Sequence, residues 1–358
     1  MMRLAIFSVT GKGALLADKL AHQLQNDVTV YAKQGRTTNL SHHTYEKLST
    51  LIENVFSLYD GLIFIMATGI VVRVIAAHIH DKQFDPAVVV LDDAALYAIS
   101  LLSGHLGGAN ELTKQVATLL GATPVITTAT DVAHKPAADM LAVKLNLAIE
   151  PFDQLKTLNA SIVNEDKVLF CIDNQLNQAE QYIELAQDLG VTLQSMEKLK
   201  DSNSYDSAVV ITDKELYMLK PYLYLRPATL AVGIGCRRNT SSTLIFEALS
   251  QACRSIGRSM KSIAIMASTD LKKDEIGLLA AGQQLVIPIK FYNNDLLRHC
   301  IIEQQLVESD FVKKELGVGN VCEAAALLGG ESQTLLLPKT KYPQVTIAIA
   351  EVKSSLLE

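Results

Sequence analysis

The feature that most constrains the fold is a repeated order of apolar strand, glycine turn and amphipathic helix. At the N-terminus, RLAIFSV (3–9) is followed by TGKG and then by ALLADKLAHQL (14–24). Further apolar strands are expected at 28–32, 61–66, 87–92 and 124–129. Strands that alternate with helices are typical of a doubly wound, mainly parallel sheet. We therefore expect an α/β fold in the N-terminal part of the chain.

The character of the sequence changes twice, which predicts three domains in a chain of 358 residues. From Asp131 to about Pro227 the sequence is richer in Asn, Gln, Asp and Glu. The strand, glycine turn and helix pattern returns in TLAVGIGCRRNTSS (229–242). We predict an N-terminal α/β domain at 1–130, a smaller middle α/β domain at 131–227 and a separate C-terminal α/β domain at 228–358.

Composition excludes several classes of protein. A net charge of −6 argues against a general nucleic-acid surface. The longest apolar block, GLIFIMATGIVV (61–72), is shorter than the roughly 20 residues that cross a bilayer. The five cysteines include no C-x-x-C pair, so neither a disulfide framework nor a zinc site is indicated. We expect a cytoplasmic protein that has no metal site and binds neither nucleic acid nor membrane.

Two segments resemble phosphate loops only superficially. TGKG (10–13) lacks the earlier glycine of a P-loop and has glycine where Ser or Thr should follow the lysine. The glycines 233 and 235 are followed by Arg238 where a dinucleotide-binding turn needs a third glycine. A nucleotide-binding enzyme is therefore the weakest of the functional classes considered.

The segment LLSGHLGGAN (101–110) gathers three glycines, Ser103 and His105 just before a predicted helix. Ser103 and Asn110 are good helix caps, and the glycines permit a close approach of the backbone to a ligand. His105 then lies near a helix N-terminus, where it can transfer protons near neutral pH. It can equally be a histidine that only packs the loop, and the residues alone leave both alternatives open.

Acidic side chains occur at other strand ends and helix starts. Asp92 and Asp93 end a strand, where they can act as a base or close a turn. In STDLKKDEIG (268–277), Asp270 and its neighbours fit a first helical turn, and the lysines are expected in solvent. Glu323 lies in the first turn of a short apolar helix, where a structural role is expected unless it faces a cleft. Cys322 beside it is expected to pack rather than react.

Together these motifs resemble a known family. MATGIVVR, DKQFDPAVVVLDD, ISLLSGHLGGANELT and PVITTATD, in this order, resemble the N-terminal region of the cobalt-precorrin-5A hydrolases of cobalamin biosynthesis, the CbiG family. VGIGCRRNTSS, TDLKKDEIGLLA, VCEAAALL and LPKTK resemble the C-terminal domain of that family. The resemblance covers about 1–130 and 228–352, and the middle segment matches in position and length. Ala95 stands where a turn glycine is common, and Asp93 replaces the more usual glutamate.

The resemblance implies a hydrolase. The expected substrate is a cobalt-bearing macrocycle with a six-membered lactone that links a ring-A acetate to the methylated meso carbon. Water opens the lactone, the meso carbon leaves as acetaldehyde, and cobalt-precorrin-5B results. The cobalt arrives inside the substrate, so no added cofactor is expected, and neighbouring pathway methyltransferases are expected to exchange intermediates with the protein. The alternative is a non-catalytic corrinoid-binding or carrier protein, since the C-terminal part alone resembles small proteins of the aerobic pathway.

This chemistry gives the candidate residues their expected roles. Hydrolysis needs a general acid and a general base, for which His105 is the first candidate, followed by Glu323, Asp270 and Asp92. The substrate carries many carboxylates, which glycine-rich helix starts and arginines can bind. The expected carboxylate-binding residues are Thr68, Gly69, Arg73, Ser103, Gly104, Gly107, Gly108, Asn110, Gly233, Gly235, Arg237, Arg238, Ser241 and Lys339.

Overall fold

A computed structural model describes residues 2–133, 135–310, 313–314 and 317–353. The chain divides into two compact units, Met1–Val143 and Lys144–Glu358. The first unit contains one β-sheet and the second contains two. Within the described residues, no helix has the length and apolar character needed to span a membrane.

The N-terminal unit is built on a seven-stranded sheet in the order β3-β2-β1-β4-β5-β6-β7. Neighbouring strands run parallel except for β5 and β6, which are antiparallel. The predicted α/β fold with a mainly parallel N-terminal sheet is confirmed. The strands are β1 (Arg3–Ser8), β2 (Asp27–Lys33), β3 (His43–Tyr45), β4 (Gly61–Ile65), β5 (Ala87–Leu91), β6 (Tyr97–Leu102) and β7 (Thr123–Val125).

Helices cover both faces of this sheet. Alternate residues of β1 show the two-residue period of a strand, because Leu4 and Ile6 enter one core cluster and Ala5 and Phe7 the other. The first cluster includes α1 and α4, and the second includes α2 and α3. The helices are α1 (Gly11–Gln23), α2 (Leu48–Val55), α3 (Thr68–Ile75), α4 (Ala109–Leu120), α5 (Ala129–Val132) and α6 (Ala138–Lys144).

The reversed strand β6 places the loop that follows it at an unexpected edge. Its pairing with β5 runs from Val88 opposite Leu102 to Leu91 opposite Ala98. The carboxyl end of β6 therefore lies where β1, β4 and β5 begin, rather than where they end. A β-carbon added at Gly107 would lie 3.3 Å from the carbonyl oxygen of Asp85, just before β5 starts. The loop at 103–108 thus occupies the edge opposite to the turns that follow β1, β4 and β5.

The middle sheet has the order β10-β9-β11-β12-β8, with β8 antiparallel at its edge. Its strands are β8 (Ala148–Glu150), β9 (Val168–Ile172), β10 (Gln194–Ser195), β11 (Ser207–Ile211) and β12 (Tyr222–Arg226). Its helices are α7 (Leu155–Val163) and α8 (Ala179–Asp188), with short 3-10 helices at Phe152–Gln154 and Met196–Lys200.

Arg226 joins the middle sheet to the sheet that follows it. Its fully buried guanidinium donates through Nε to Glu150 Oε2 at 2.7 Å and through Nη1 to the Thr212 carbonyl at 3.0 Å. Ser259 Oγ, which precedes β14, donates to the same Glu150 oxygen at 2.7 Å. A buried guanidinium is costly unless it is paired. This network therefore holds the two sheets of the second unit together at one point.

The C-terminal sheet has the order β15-β14-β13-β17-β16. Strands β13, β14 and β15 are parallel, while β17 is antiparallel to β13 and β16. The predicted separate C-terminal α/β region is confirmed. Its strands are β13 (Leu230–Cys236), β14 (Ile263–Thr269), β15 (Ile289–Tyr292), β16 (Leu335–Tyr342) and β17 (Val345–Glu351).

Helices again cover both faces of the C-terminal sheet. Residues of α9 and α10 enter one core cluster, and residues of α11 and α12 enter another with Ala267 and Ala348. Strand β15 begins only at Ile289, because α10 continues to Leu285. The helices are α9 (Ser242–Ser255), α10 (Ile276–Leu285), α11 (Asn294–Glu303) and α12 (Val321–Gly330), with short 3-10 helices at Met260–Ser262 and Asp270–Lys272.

Gly233 allows α12 to lie directly against β13. A β-carbon at this position would lie 1.8 Å from the carbonyl oxygen of Cys322 and 2.6 Å from the amide nitrogen of Ala326. We expect Gly233→Ala to destabilise the protein by about 3 kcal/mol or more, because helix backbone has to move. The control is Gly11→Ala. The β-carbon added there would lie 3.7 Å from its nearest neighbour, the Arg36 carbonyl oxygen. Equal denaturation midpoints for the two variants would contradict this packing.

Candidate active site

His105 lies between two carboxylates. Its Nδ1 is 3.0 Å from Asp139 Oδ1, and its Nε2 is 2.6 Å from Asp131 Oδ2. Asp131 belongs to α5 and Asp139 to α6, so three separate segments meet at the ring. An ionised carboxylate only accepts hydrogen bonds, so both ring nitrogens donate when both aspartates are ionised. The geometry therefore favours an imidazolium held at both ends.

The surroundings of His105 favour its charged form. Burial alone lowers the pKa of the ring, since it disfavours a charge away from water. The hydrogen bonds and negative charges of Asp139 and Asp131 outweigh burial, so the pKa of His105 is raised above its ordinary value. The group keeps its proton at a pH where a free histidine begins to lose it.

Asn110, in the first turn of α4, forms hydrogen bonds with the same cluster. It is buried, and its Nδ2 donates to Asp131 Oδ2 and to Thr128 Oγ1, both at 2.9 Å. Its Oδ1 accepts from Ser100 Oγ at 2.6 Å. The expected role of Ser103 and Asn110 as helix caps is wrong, because α4 is capped by Gly108 without a side-chain hydrogen bond. Asn110 lies inside the first turn and fixes Asp131 instead.

The three glycines of the loop are explained by its own packing. A β-carbon at Gly104 would lie 2.9 Å from Asn110 Oδ1, and one at Gly107 would lie 2.4 Å from the β-carbon of Ser103. Gly108 has a φ of 85°, a left-handed conformation that favours glycine. The glycines thus let the loop close around Asn110 and bring His105 between its two partners.

The other candidates of the N-terminal unit lie at the opposite edge of the sheet. Thr68 and Gly69 begin α3 directly after β4. The exposed Arg73 donates through Nη1 to the Gly69 carbonyl at 2.9 Å. The structure therefore separates Thr68, Gly69 and Arg73 from the His105 loop by the length of the strands.

Asp92 closes a turn at that same edge. Its carboxylate accepts hydrogen bonds from the backbone N–H groups of Ala94, Leu96 and Tyr97. Burial raises the pKa of Asp92, but these three bonds outweigh it and lower the pKa below its ordinary range. The turn also holds Ala95 at a φ of 53°, where glycine is favoured. Both oxygens of Asp92 are thus occupied by backbone.

Asp93 occupies the position where a phosphate loop would bind its anion. Its Oδ2 accepts from Thr10 Oγ1 at 2.9 Å, and Thr10 caps α1 by accepting from the Gly13 N–H. A β-carbon at Gly13 would lie 3.1 Å from Asp93 Oδ1. The protein's own carboxylate therefore lies against the first turn of α1, which agrees with the rejection of TGKG as a phosphate loop.

In the second unit, the candidate residues gather where β13 and β14 end. Glu323, in the first turn of α12, is buried and accepts from the Lys339 N–H through Oε1 at 2.7 Å and from Asn320 Nδ2 through Oε2. Both of its oxygens are occupied. Burial raises the pKa of the neighbouring Cys322 thiol to about 11, so this cysteine is a packed thiol rather than a nucleophile.

The two arginines after β13 differ in their surroundings. Arg238 donates to Asp274 Oδ1 at 2.6 Å and to the Leu271 carbonyl at 2.9 Å. The side chain of Arg237 is exposed and forms no hydrogen bond or ion pair with any residue that the structure describes. Ser241 caps α9 by accepting from the Leu244 N–H at 3.3 Å. Arg237 is therefore more available than Arg238 to bind a carboxylate of a ligand.

The segment after β14 contains a buried lysine that sequence reasoning assigned to solvent. Lys272 is buried, and its Nζ is 3.5 Å from Glu275 Oε2. Glu275 Oε1 accepts from the Asn239 N–H at 2.6 Å, which ties this segment to the arginine turn. The expectation of solvated lysines is therefore wrong at Lys272.

Asp270 is partly exposed at the same edge of the sheet. Gly235 lies on β13 against Thr346, whose Oγ1 would be 2.6 Å from an added β-carbon.

Sequence reasoning missed the two carboxylates that bind His105. Asp131 is the last residue of the motif PVITTATD, and its place in that motif is the only feature of the sequence that points to it. Asp139 lies 34 residues after His105 in an ordinary helical segment, and nothing local identifies it. Within the described residues, no group of three or more His, Cys, Asp or Glu side chains is arranged to hold a metal ion.

Comparison with known proteins defines the class of the protein first. Three family models match in order: cobalamin synthesis G N-terminal at 50–131, cobalamin biosynthesis central region at 136–227 and cobalamin synthesis G C-terminus at 230–350. The chain thus matches the N-terminal, central and C-terminal regions of a cobalamin-biosynthesis family.

Individual relatives narrow the assignment. The chain is 33% identical to cobalt-precorrin-5A hydrolase from Priestia megaterium, over 97% of this chain and 94% of the relative. It is 34% identical to cobalt-precorrin-5A hydrolase from Salmonella typhimurium, over 93% of each. A third match, 29% identical to protein CobE from a Sinorhizobium species, covers 34% of this chain and 80% of that protein. The chain belongs to the cobalt-precorrin-5A hydrolase (CbiG) family.

Replacing His105 tests the charge state of the cluster. We expect His105→Gln to lower the free energy of unfolding by about 3 kcal/mol at pH 6, because two partly buried carboxylates lose their shared cation. A raised pKa means that this stabilisation is complete below about pH 6.5 and is lost as the pH rises through the pKa of the folded protein. Urea denaturation of both proteins should therefore give a smaller difference at pH 9. A difference that is constant or grows with pH would show that the ring is neutral.

Proposed function

We propose that the protein is a cobalt-precorrin-5A hydrolase that opens the ring-A lactone and releases acetaldehyde to give cobalt-precorrin-5B. The observation that carries this proposal is the 33% identity with a protein of that name across 97% of this chain. All three family-model regions are present in order. The proposed activity thus rests on the whole chain rather than on one domain.

The reaction divides into two steps whose atoms balance with one water. Water adds to the lactone carbonyl, and the bond from that carbon to the ring oxygen breaks. The alkoxide on the former meso carbon then forms the C=O bond of acetaldehyde, and the electron pair of its bond to the macrocycle enters the conjugated ring. A proton replaces the lost carbon on the ring. We propose that no added cofactor takes part, since cobalt is carried by the substrate.

The arrangement of the side chains favours the His105 cluster as the place of this chemistry. The oxygens of Asp92 accept three backbone hydrogen bonds, and those of Glu323 accept one backbone and one amide hydrogen bond. We therefore favour the cluster of His105, Asp131 and Asp139 as the place of proton transfer. Asp270, partly exposed beside the arginine turn, is the second candidate.

Carboxylate recognition is proposed for the edge of the C-terminal sheet. Arg237 and Lys339 lie there with the caps of α9 and α12, and arginine pairs with carboxylates through two hydrogen bonds. We further propose that the protein works in the cytoplasm and exchanges intermediates with the methyltransferases that make its substrate and use its product.

The direct test is turnover. Anaerobic incubation of the purified protein with cobalt-precorrin-5A should release one acetaldehyde for each lactone opened, measured with alcohol dehydrogenase and NADH. Heat-denatured protein is the control. A yield no greater than that control would contradict the proposed function.

The second candidate function is a non-catalytic corrinoid carrier. It is favoured by the match of the C-terminal part to protein CobE, which covers 80% of that smaller protein. A carrier would bind the substrate tightly and return it with the lactone intact. Recovery of unchanged, bound cobalt-precorrin-5A after incubation would support the carrier, and acetaldehyde release would exclude it.

The two arginines after β13 should differ in their effect on binding. We expect Arg237→Gln to raise KM about tenfold, because a charge-assisted hydrogen bond contributes roughly 1.5–3 kcal/mol. Arg238→Gln should raise KM less than about threefold, because its guanidinium is already paired with Asp274. Steady-state kinetics of acetaldehyde release would measure both, and equal KM values in the two variants would contradict the distinction.

A further inference from the structure

Access to solvent distinguishes the three members of the His105 cluster. The side chains of His105 and Asp139 are each 9% exposed, whereas that of Asp131 is 25% exposed. A substrate or a water molecule approaching the cluster therefore meets Asp131 first. His105 offers no free ring nitrogen to a ligand, because each of the two lies within hydrogen-bond distance of a carboxylate oxygen.

The two oxygens of Asp131 have different surroundings. Oδ2 accepts from His105 Nε2 at 2.6 Å and from Asn110 Nδ2 at 2.9 Å. Oδ1 lies 4.0 Å from Lys114 Nζ, which is half exposed and bound to Glu111 at 2.9 Å. Among the described residues none donates a hydrogen bond to Oδ1. One oxygen is thus fixed by two donors while the other is available to a ligand.

The positive charge of the ring is shared between two carboxylates. Asp139 binds the far side of the same ring, so the three groups carry a net charge of −1. His105 therefore orients Asp131 while Asp139 offsets much of its positive charge.

We propose that Asp131 is the catalytic general base, and that His105, Asn110 and Asp139 are the residues that position it. This inference rests on the proposed hydrolase function. Asp131 Oδ1 takes a proton from the water that adds to the lactone carbonyl, and the carbonyl carbon to lactone oxygen bond breaks. When acetaldehyde leaves, the proton on Asp131 passes to the ring carbon that receives the electron pair. The second proton of the water stays on the new ring-A carboxyl group and is lost to solvent.

The first experiment measures acetaldehyde release by Asp131→Asn under anaerobic conditions. We expect kcat to fall by about 100-fold or more with KM within about threefold of wild type, as the loss of a general base predicts. The matched control is Asp27→Asn, an exposed aspartate at the start of β2 in the same unit. A kcat for Asp131→Asn within threefold of wild type would overturn the inference. A wild-type protein that releases no acetaldehyde would instead overturn the proposed function itself.

Two further variants separate catalysis from folding. Asp131→Ala should recover activity when formate is added, because a small carboxylate can occupy the space that the side chain leaves. His105→Ala should not recover, because its defect is one of orientation. Asp131→Glu should fold as wild type in a thermal melt and retain more activity than Asp131→Asn. Absence of formate rescue in a folded Asp131→Ala protein would contradict the role of Asp131.

The pH profile tests the positioning role of His105. Among the described residues, Asp131 on α5 and Asp139 on α6 lie at the two ring nitrogens, and Lys114 on α4 lies 4.0 Å from Asp131. In the wild type, kcat should fall as the pH rises through the raised pKa of His105, because the neutral ring donates to only one carboxylate. His105→Gln should be about tenfold slower and should lack that decline. An identical alkaline decline in both proteins would show that His105 does not act through Asp131.

Discussion

The antiparallel pairing of β6 with β5 is the constraint on which the candidate active site depends. In a sheet whose strands were all parallel, the loop after β6 would join the turns after β1, β4 and β5. Because β6 is reversed, that loop emerges at the other edge, next to the start of β5. There it meets the chain that follows β7, which is parallel to β6 and delivers α5. One reversed strand therefore brings His105 and Asp131 together and excludes Asp92 from their neighbourhood.

Charge balance then determines what this cluster can do. A buried imidazolium between two carboxylates is costly to desolvate, and each partner offsets part of that cost for the others. Asn110 contributes a neutral donor to the same oxygen of Asp131 that His105 binds. The result is a carboxylate with one fixed oxygen and one available oxygen, set on helices rather than on a long loop. Such fixed geometry is what a general base needs in order to act on one water molecule.

The sequence predicts those features of the fold and the site that depend on residues close together in the chain. Apolar periodicity locates strands such as β1, β4 and β13, and the motif order identifies the family that the comparisons confirm. Periodicity carries no information about strand direction, so the reversal of β6 is invisible in it. Glu323 and Lys272 look alike in sequence as charged residues near helix starts, yet both are buried. Glu323 accepts from the Lys339 N–H, 16 positions away, whereas Lys272 lies 3.5 Å from Glu275 in its own segment. Asp139 has no local signal at all, because its role arises from a contact with a residue 34 positions away.

The central claim is that His105 is an imidazolium held by Asp131 and Asp139, and its ring nitrogens report this directly. Of the eight histidines in the chain, His105 can be assigned in a nitrogen-15 NMR spectrum by comparison with His105→Gln. A free histidine is half protonated near pH 6.5, so a spectrum at that pH distinguishes a ring whose pKa is raised. The account predicts that both ring nitrogens of His105 are protonated in more than half of the molecules at that pH. One protonated and one unprotonated nitrogen, as in a neutral ring, would contradict it.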